Sequence, residues 1–188
     1  MHLLLLPEHD RYLRFGYAAS DSQITRYVDQ LDFERDELLG IFNRRLKLLA
    51  MAHLAYLTTH DGQTASQAEF GVSVDAQARG RGYATRLFDL AVLHARNRAI
   101  KTLLIHALSE NTAMLRIARH AGANVMRDGG ESEACLQLPP ESLVSHMKEI
   151  VEASAGEMDY RFKQHAYRMD NLLDTIAEID GTERTRAD

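Results

Sequence analysis

The chain has 188 residues, 45% of them apolar, and a formal net charge of −5. That is enough for one ordinary domain with a real core, or one domain with an appendage. No basic stripe marks a nucleic-acid binder, no stretch approaches the roughly 20 apolar residues of a membrane span, and the single Cys135 excludes an internal disulfide and fits a reducing compartment, taken here as the cytoplasm.

In chain order, residues 3–6 form a four-residue apolar run. It is too short for a secretory h-region and lacks a basic flank, so no signal peptide is expected. Residues 22–31 carry a helical pattern, with Ser20 or Asp21 as the cap. Residues 38–42 and 46–58 have strand character and meet at Asn43. Asp61-Gly62 is a hairpin signal, and residues 66–75 form the next strand. Residues 82–98 are expected as a helix with an apolar stripe of Leu87, Phe88, Ala91, Val92 and Ala95. A short buried strand over 102–108, a helix over 111–121 and closing strands at 125–126 and 134–138 complete the pattern. Strand, helix, strand, helix, strand in this order gives α/β layers around a mixed sheet.

Pro139-Pro140 divides a domain over residues 1–138 from an extension over 139–188. Two helical patterns split at Gly156 are expected in the extension. The second repeats over three heptads, with Phe162, Met169 and Ile176 at one position and His165, Leu172 and Ile179 at the other. Packing on its own domain and contact with a second copy in a homodimer fit that stripe equally well. Residues 141–188 hold 11 acids and 6 bases, so the whole negative balance lies there. Residues after Gly181 have nothing to bury and are expected to be disordered.

The chemistry is carried by the turn Arg79-Gly80-Arg81-Gly82-Tyr83-Ala84-Thr85, which joins a strand to a helix. Backbone N–H groups gather at a helix start, where the dipole places about half a positive charge. Gly80 and Gly82 allow close approach of a phosphate, and the two arginines add forked donors. No Gly-Lys-Ser/Thr follows, so the turn is not a Walker loop, and the third glycine of a dinucleotide fingerprint is missing. The turn resembles the Arg/Gln-x-x-Gly-x-Gly/Ala signature of the GNAT acetyltransferase superfamily. Asn111-x-x-Met114-Leu115-x-x-Ala118-x-x-Ala121-Gly122 is similar to the second signature of that superfamily. On its own residues Asn111 also suits a helix N-cap.

The resemblance covers roughly residues 10–138. It implies a mixed sheet of about six to seven strands flanked by helices, with acetyl-CoA as co-substrate and no metal. Its pyrophosphate would lie on residues Arg79, Gly80, Arg81, Gly82, Tyr83, Ala84 and Thr85. Its pantetheine arm would pair with the Val72 and Val74 backbones and contact Asn111, where two strands splay. Ala68-Glu69-Phe70 ahead of the turn looks most like the GNAT domain of bacterial protein-lysine acetyltransferases, in which a glutamate at this place is the general base. Alternation on its strand sets Glu69, Gly71 and Ser73 opposite Phe70, Val72 and Val74; an ordinary solvent-facing glutamate is the plainer reading of Glu69. The resemblance implies an amine acceptor, a protein lysine or a small molecule such as a polyamine or an aminoglycoside. A CoA-sensing module without turnover is the rival from another class. Two positions depart from the superfamily pattern: Ala118 stands where many members place a tyrosine as general acid, and Ala123 where phenylalanine is usual. Nine histidines form no His-x-His or His-Glu-x-x-His pattern, so no metal site is expected. His94 and His120 are expected on helix surfaces.

Overall fold

The computed structural model describes residues 2–58 and 64–139. The Asp61-Gly62 hairpin, the break at Gly156, the heptad stripe and the rest of the extension past Pro139 lie outside the described residues. Two elements precede those expected. His2–Leu5 form a 3-10 turn, and α1 spans Glu8–Phe15. α1 starts behind Pro7, carries Glu8 and Asp10 in its first turn where they complement the helix dipole, and stops at left-handed Gly16. α2, Asp21–Asp29, begins with a full capping box: the Gln23 N–H donates to the Ser20 hydroxyl, and the Ser20 N–H donates to the Gln23 side chain.

β1, Asp36–Phe42, and β2, Leu48–Thr58, pair antiparallel. β2 starts at Leu48 rather than 46 because Leu46 takes φ 57° in the connecting turn. There Asn43 Oδ1 accepts from the Arg45 and Lys47 N–H groups. β3, Thr64–Val74, leads through the glycine turn into α3, Tyr83–Asn97. β4, Thr102–Leu108, α4, Thr112–His120, β5, Asn124–Asp128, and β6, Glu131–Gln137, follow. The six described strands make one sheet in the order β1-β2-β3-β4-β6-β5. Within it β3 and β4 run parallel and the other neighbours antiparallel.

Alternation along the strands sorts the two faces. Ala50, Ala52, Leu54 and Tyr56 of β2 join the main core with Leu87, Phe88, Ala91 and Ala95 of α3 and Met114 and Ala118 of α4. Phe70 meets Phe88 edge-on at 5.1 Å between ring centroids. The expected α3 stripe is therefore the buried one, with Val92 partly buried and Leu93 added. Met51 faces the other way, toward a second cluster of Leu3, Leu6, Ala19 and Ile24. The apolar run at 3–6 thus closes the far face of the sheet. No helix of the described residues is long and apolar enough to cross a membrane.

Glu37 fastens β1 to α3. Its carboxylate accepts from the Tyr56 hydroxyl at 2.8 Å, meets His94 Nδ1 at 2.6 Å and pairs with Arg98 Nε at 3.0 Å. His94, expected at the surface, is instead largely covered by this contact. Burial pushes the Glu37 carboxyl up, but the hydrogen bonds from His94 and Tyr56 and the charges of His94 and Arg98 outweigh it and hold its pKa below the ordinary 4.5. A carboxyl depressed by folding stabilises the fold above its unfolded pKa, and that contribution fades as pH falls through the folded value. Glu37→Gln should lower stability at neutral pH and flatten the loss below about pH 4.3. Chemical denaturation at several pH values checks both slopes.

Candidate functional site

The parallel ladder between β3 and β4 consists of Gln67–Thr102, Ala68–Leu103 and Glu69–Leu104, and then it ends. Both strands continue, β3 to Val74 on β2 and β4 to Leu108 on β6. Their facing edges part and open a cleft of about 1550 Å³. That exceeds the roughly 300–1,000 Å³ of an ordinary small-ligand pocket and suits a long ligand with a second substrate.

Gly82, Tyr83, Ala84 and Thr85 line one end of the cleft. Gly82 caps α3 without a side chain, so the first N–H groups of α3 have no partner from within the helix. Gly80 and Gly82 take φ 74° and 75°. A Cβ at either would meet nothing within 4 Å, so conformation and not crowding calls for glycine; a side chain there costs about 1–2 kcal/mol. Arg79 lines the cleft and forms an ion pair with Asp10 of α1. Arg81 is exposed and is not among the lining residues.

The other residues singled out in the sequence come together here. Glu69, Val72, Val74 and Asn111 all line the same cleft. Asn111 is an N-cap: its Oδ1 accepts from the Met114 N–H at 3.2 Å, and its Nδ2 reaches the Leu13 carbonyl of α1 at 3.4 Å. Glu69 is exposed on the sheet face that α1 packs against and that Tyr27 of α2 reaches. Among the described residues no group of three or more His, Cys, Asp or Glu side chains is placed to hold a metal.

The sequence did not point to a second set of groups on the Glu69 face. Register sets Ala55 opposite Glu69, and His53 opposite both Gly71 and Leu38. Asp36, two residues before Leu38, shares that face. Tyr27 of α2 reaches down so that its hydroxyl lies 2.5 Å from His53 Nδ1, and Arg14 Nη2 donates to the same hydroxyl at 3.0 Å. With Arg14 donating, the Tyr27 proton is assigned to the His53 side, which leaves the imidazole proton on Nε2. Nε2 lies 3.4 Å from Asp36 Oδ1, without hydrogen-bond alignment. Burial raises the Tyr27 pKa against the opposing charge of Arg14. Burial also lowers that of His53, against Asp36. At neutral pH the phenol therefore keeps its proton and the imidazole is uncharged. Arg14 lies so close to Gly71 that a Cβ there would sit 2.6 Å from its Cζ. In the sequence, His53 reads only as one more residue of an apolar strand.

Residues 3–124 match the acetyltransferase (GNAT) domain family. No curated protein matches the chain in sequence. Among solved structures, the GNAT domain of S. lividans PAT is similar at TM-score 0.58 and 22% identity, covering 72% of this chain and 81% of that one. The ribosomal-protein-alanine N-acetyltransferase from Brucella melitensis is similar at TM-score 0.54 and 15% identity, covering 70% and 90%. A structure of yncA from Salmonella typhimurium with its cofactor acetyl-CoA gives TM-score 0.56 at 14% identity, covering 72% and 87%.

The crowding at Gly71 gives a test. The Arg14 tip is flexible, so Gly71→Ala should displace it at little cost in stability. Arg14 lowers the Tyr27 pKa by charge and by hydrogen bond. Its displacement should therefore raise the phenol pKa further, as read by NMR titration of the tyrosine ring carbons, with a nearly unchanged melting temperature.

Proposed function

The chain belongs to the acetyltransferase (GNAT) domain family, and from that premise we propose that it moves an acetyl group from acetyl-CoA to a primary amine, with Glu69 as general base. One observation carries this reading: a parted strand edge runs directly into an uncapped helix start within a single cleft. The parted edge offers backbone groups to the pantetheine amides at Val72 and Val74, and Asn111 flanks the same arm. The residues from Arg79 to Thr85 receive the pyrophosphate by N–H groups, dipole and guanidinium. Arg81 contributes there by charge from outside the cleft wall.

An amine of ordinary pKa, about 10.4, arrives protonated at neutral pH. Glu69 takes that proton, directly or through water, and the freed nitrogen attacks the thioester carbonyl. The N–C bond forms and the C–S bond breaks. A backbone N–H near Val72 polarises the carbonyl oxygen where charge develops. The motif around Glu69 and the likeness to S. lividans PAT support a protein lysine as the first acceptor class to test.

Saturating acetyl-CoA should raise apparent stability, by roughly 2.7 kcal/mol at 100 times Kd, and Gly82→Trp should remove the shift in a thermal melt. Glu69→Gln should lose about 10²–10⁴-fold in turnover with cofactor affinity kept. CoA release, measured with lysine peptides, polyamines and aminoglycosides, separates the acceptor classes. A parent chain that binds acetyl-CoA but acetylates none of them is the CoA-sensing module instead.

A further inference from the structure

We propose that Tyr27 and His53 hold the proton that acetyl transfer releases until the product leaves: Glu69 hands it to the Tyr27 oxygen as the Tyr27 proton moves to His53 Nδ1, and Asp36 holds the resulting imidazolium. The inference rests on Glu69 being the base. Four elements meet at this path. Tyr27 comes from α2, His53 from β2, Asp36 from β1 and Arg14 from α1, while Glu69 on β3 faces them. Tyr27 and Glu69 both line the cleft, whereas His53 is not among its lining residues and has 13% of its side chain exposed. Glu69 and His53 are diagonal neighbours across the β2–β3 ladder, a separation of roughly 7–8 Å that a long side chain and a bridging hydroxyl span. The charge of Glu69 bears on both Tyr27 and His53.

Geometry separates this arrangement from plain packing. The Tyr27 hydroxyl has a donor on one side and an acceptor 2.5 Å away on the other, so its proton has one direction to go. Among the described residues His53 Nε2 is buried and has no well-aligned hydrogen-bond partner, yet a carboxylate oxygen lies 3.4 Å from it. An orphaned buried donor is costly in a purely structural pair. It makes sense when the ring becomes charged, because attraction to Asp36 then shortens that contact.

The proton count closes. The ammonium loses one proton to Glu69, and the neutral amine forms the N–C bond. The leaving thiolate takes the second proton from the nitrogen, giving amide and free thiol. Glu69 returns to carboxylate while product is still bound by passing its proton through Tyr27 to His53; once the cleft is open to water the proton returns by the same route and leaves from Glu69, which is exposed. Burial works against charging His53, while the Asp36 carboxylate beside it works for it.

The experiment measures CoA release against pH with saturating acetyl-CoA and two acceptor probes, spermidine and a lysine-containing peptide. The set is the parent, Tyr27→Phe, Asp36→Asn, Glu69→Gln, and the double variant of Tyr27→Phe with Glu69→Gln. Tyr27→Phe should lower kcat on the order of 10² and leave the KM for acetyl-CoA unchanged. Asp36→Asn removes the charge that raises the His53 pKa, so the acid limb of the profile should move to lower pH. The double variant should be no slower than Glu69→Gln alone, because both act in one path. NMR of histidine-labelled parent should show His53 as the Nε2–H tautomer, which needs no variant to fold. A parental kcat and profile in Tyr27→Phe, independent losses in the double variant, or an Nδ1–H tautomer each overturn the relay. Of these, the first leaves Glu69 as base untouched. Full activity in Glu69→Gln instead removes the base itself. A parent that releases no CoA with either probe also overturns the relay, and the acetyl-CoA thermal shift then tells whether donor binding survives.

Discussion

Everything in the cleft depends on where the parallel β3–β4 ladder stops. Backbone N–H and C=O groups need partners, so parting two neighbouring strands is tolerated only if each is held on its other side. β3 is held by β2 as far as Val74, and β4 by β6 as far as Leu108. The edge-on contact of Phe70 with Phe88 pins the last paired part of β3 to α3. The opening is therefore framed by a paired strand on each side. It places three things on one short run of chain: Glu69 at the last pair, the free edge beyond it, and the turn to α3 at its end. Continuity of the backbone fixes their order and spacing.

Local information explains what could be read from the sequence. The α3 stripe, the Asn111 cap and the left-handed Gly122 that follows α4 are set by neighbours three or four residues apart. α1 is amphipathic but spans only eight residues, none of them fully buried, and a run that short is below the length over which periodicity identifies a helix. It owes its limits to Pro7 and Gly16 and its function to long-range contacts of Asp10 and Arg14. Arg14 to Tyr27, Tyr27 to His53 and His53 to Asp36 are all contacts between separate elements, and no spacing encodes them. Arg81 belongs to the glycine motif but is exposed and is not among the residues lining the cleft.

Asp36 and Glu37 are adjacent on β1 and face opposite sides of the sheet, as alternation requires. Each meets a histidine, with different consequences. Glu37 has close bonds to His94, Tyr56 and Arg98 and is held as a carboxylate tied to α3. Asp36 stands 3.4 Å from a His53 that burial keeps neutral. A satisfied network resists change, while a loose pair next to a cleft can respond to a proton. The same two-residue sequence thus supplies a fastening on one face and a responsive pair on the other.

The substitution at Ala118 bears on which side of the reaction needs help. Ala118 is fully buried in the main core against α3 and the sheet. A tyrosine there would require space that the packing does not leave, since interiors are close-packed. Ala118 therefore supplies no general acid at the position where the superfamily pattern often has one. A thiol of pKa about 8.5 leaves tolerably as thiolate near neutral pH, whereas an ammonium of about 10.4 must lose a proton before it can react. The larger protonic barrier lies with the amine. Glu69, Tyr27, His53 and Asp36 share one face of the sheet, while apolar Met114 and Ala118 belong to the main core on the other.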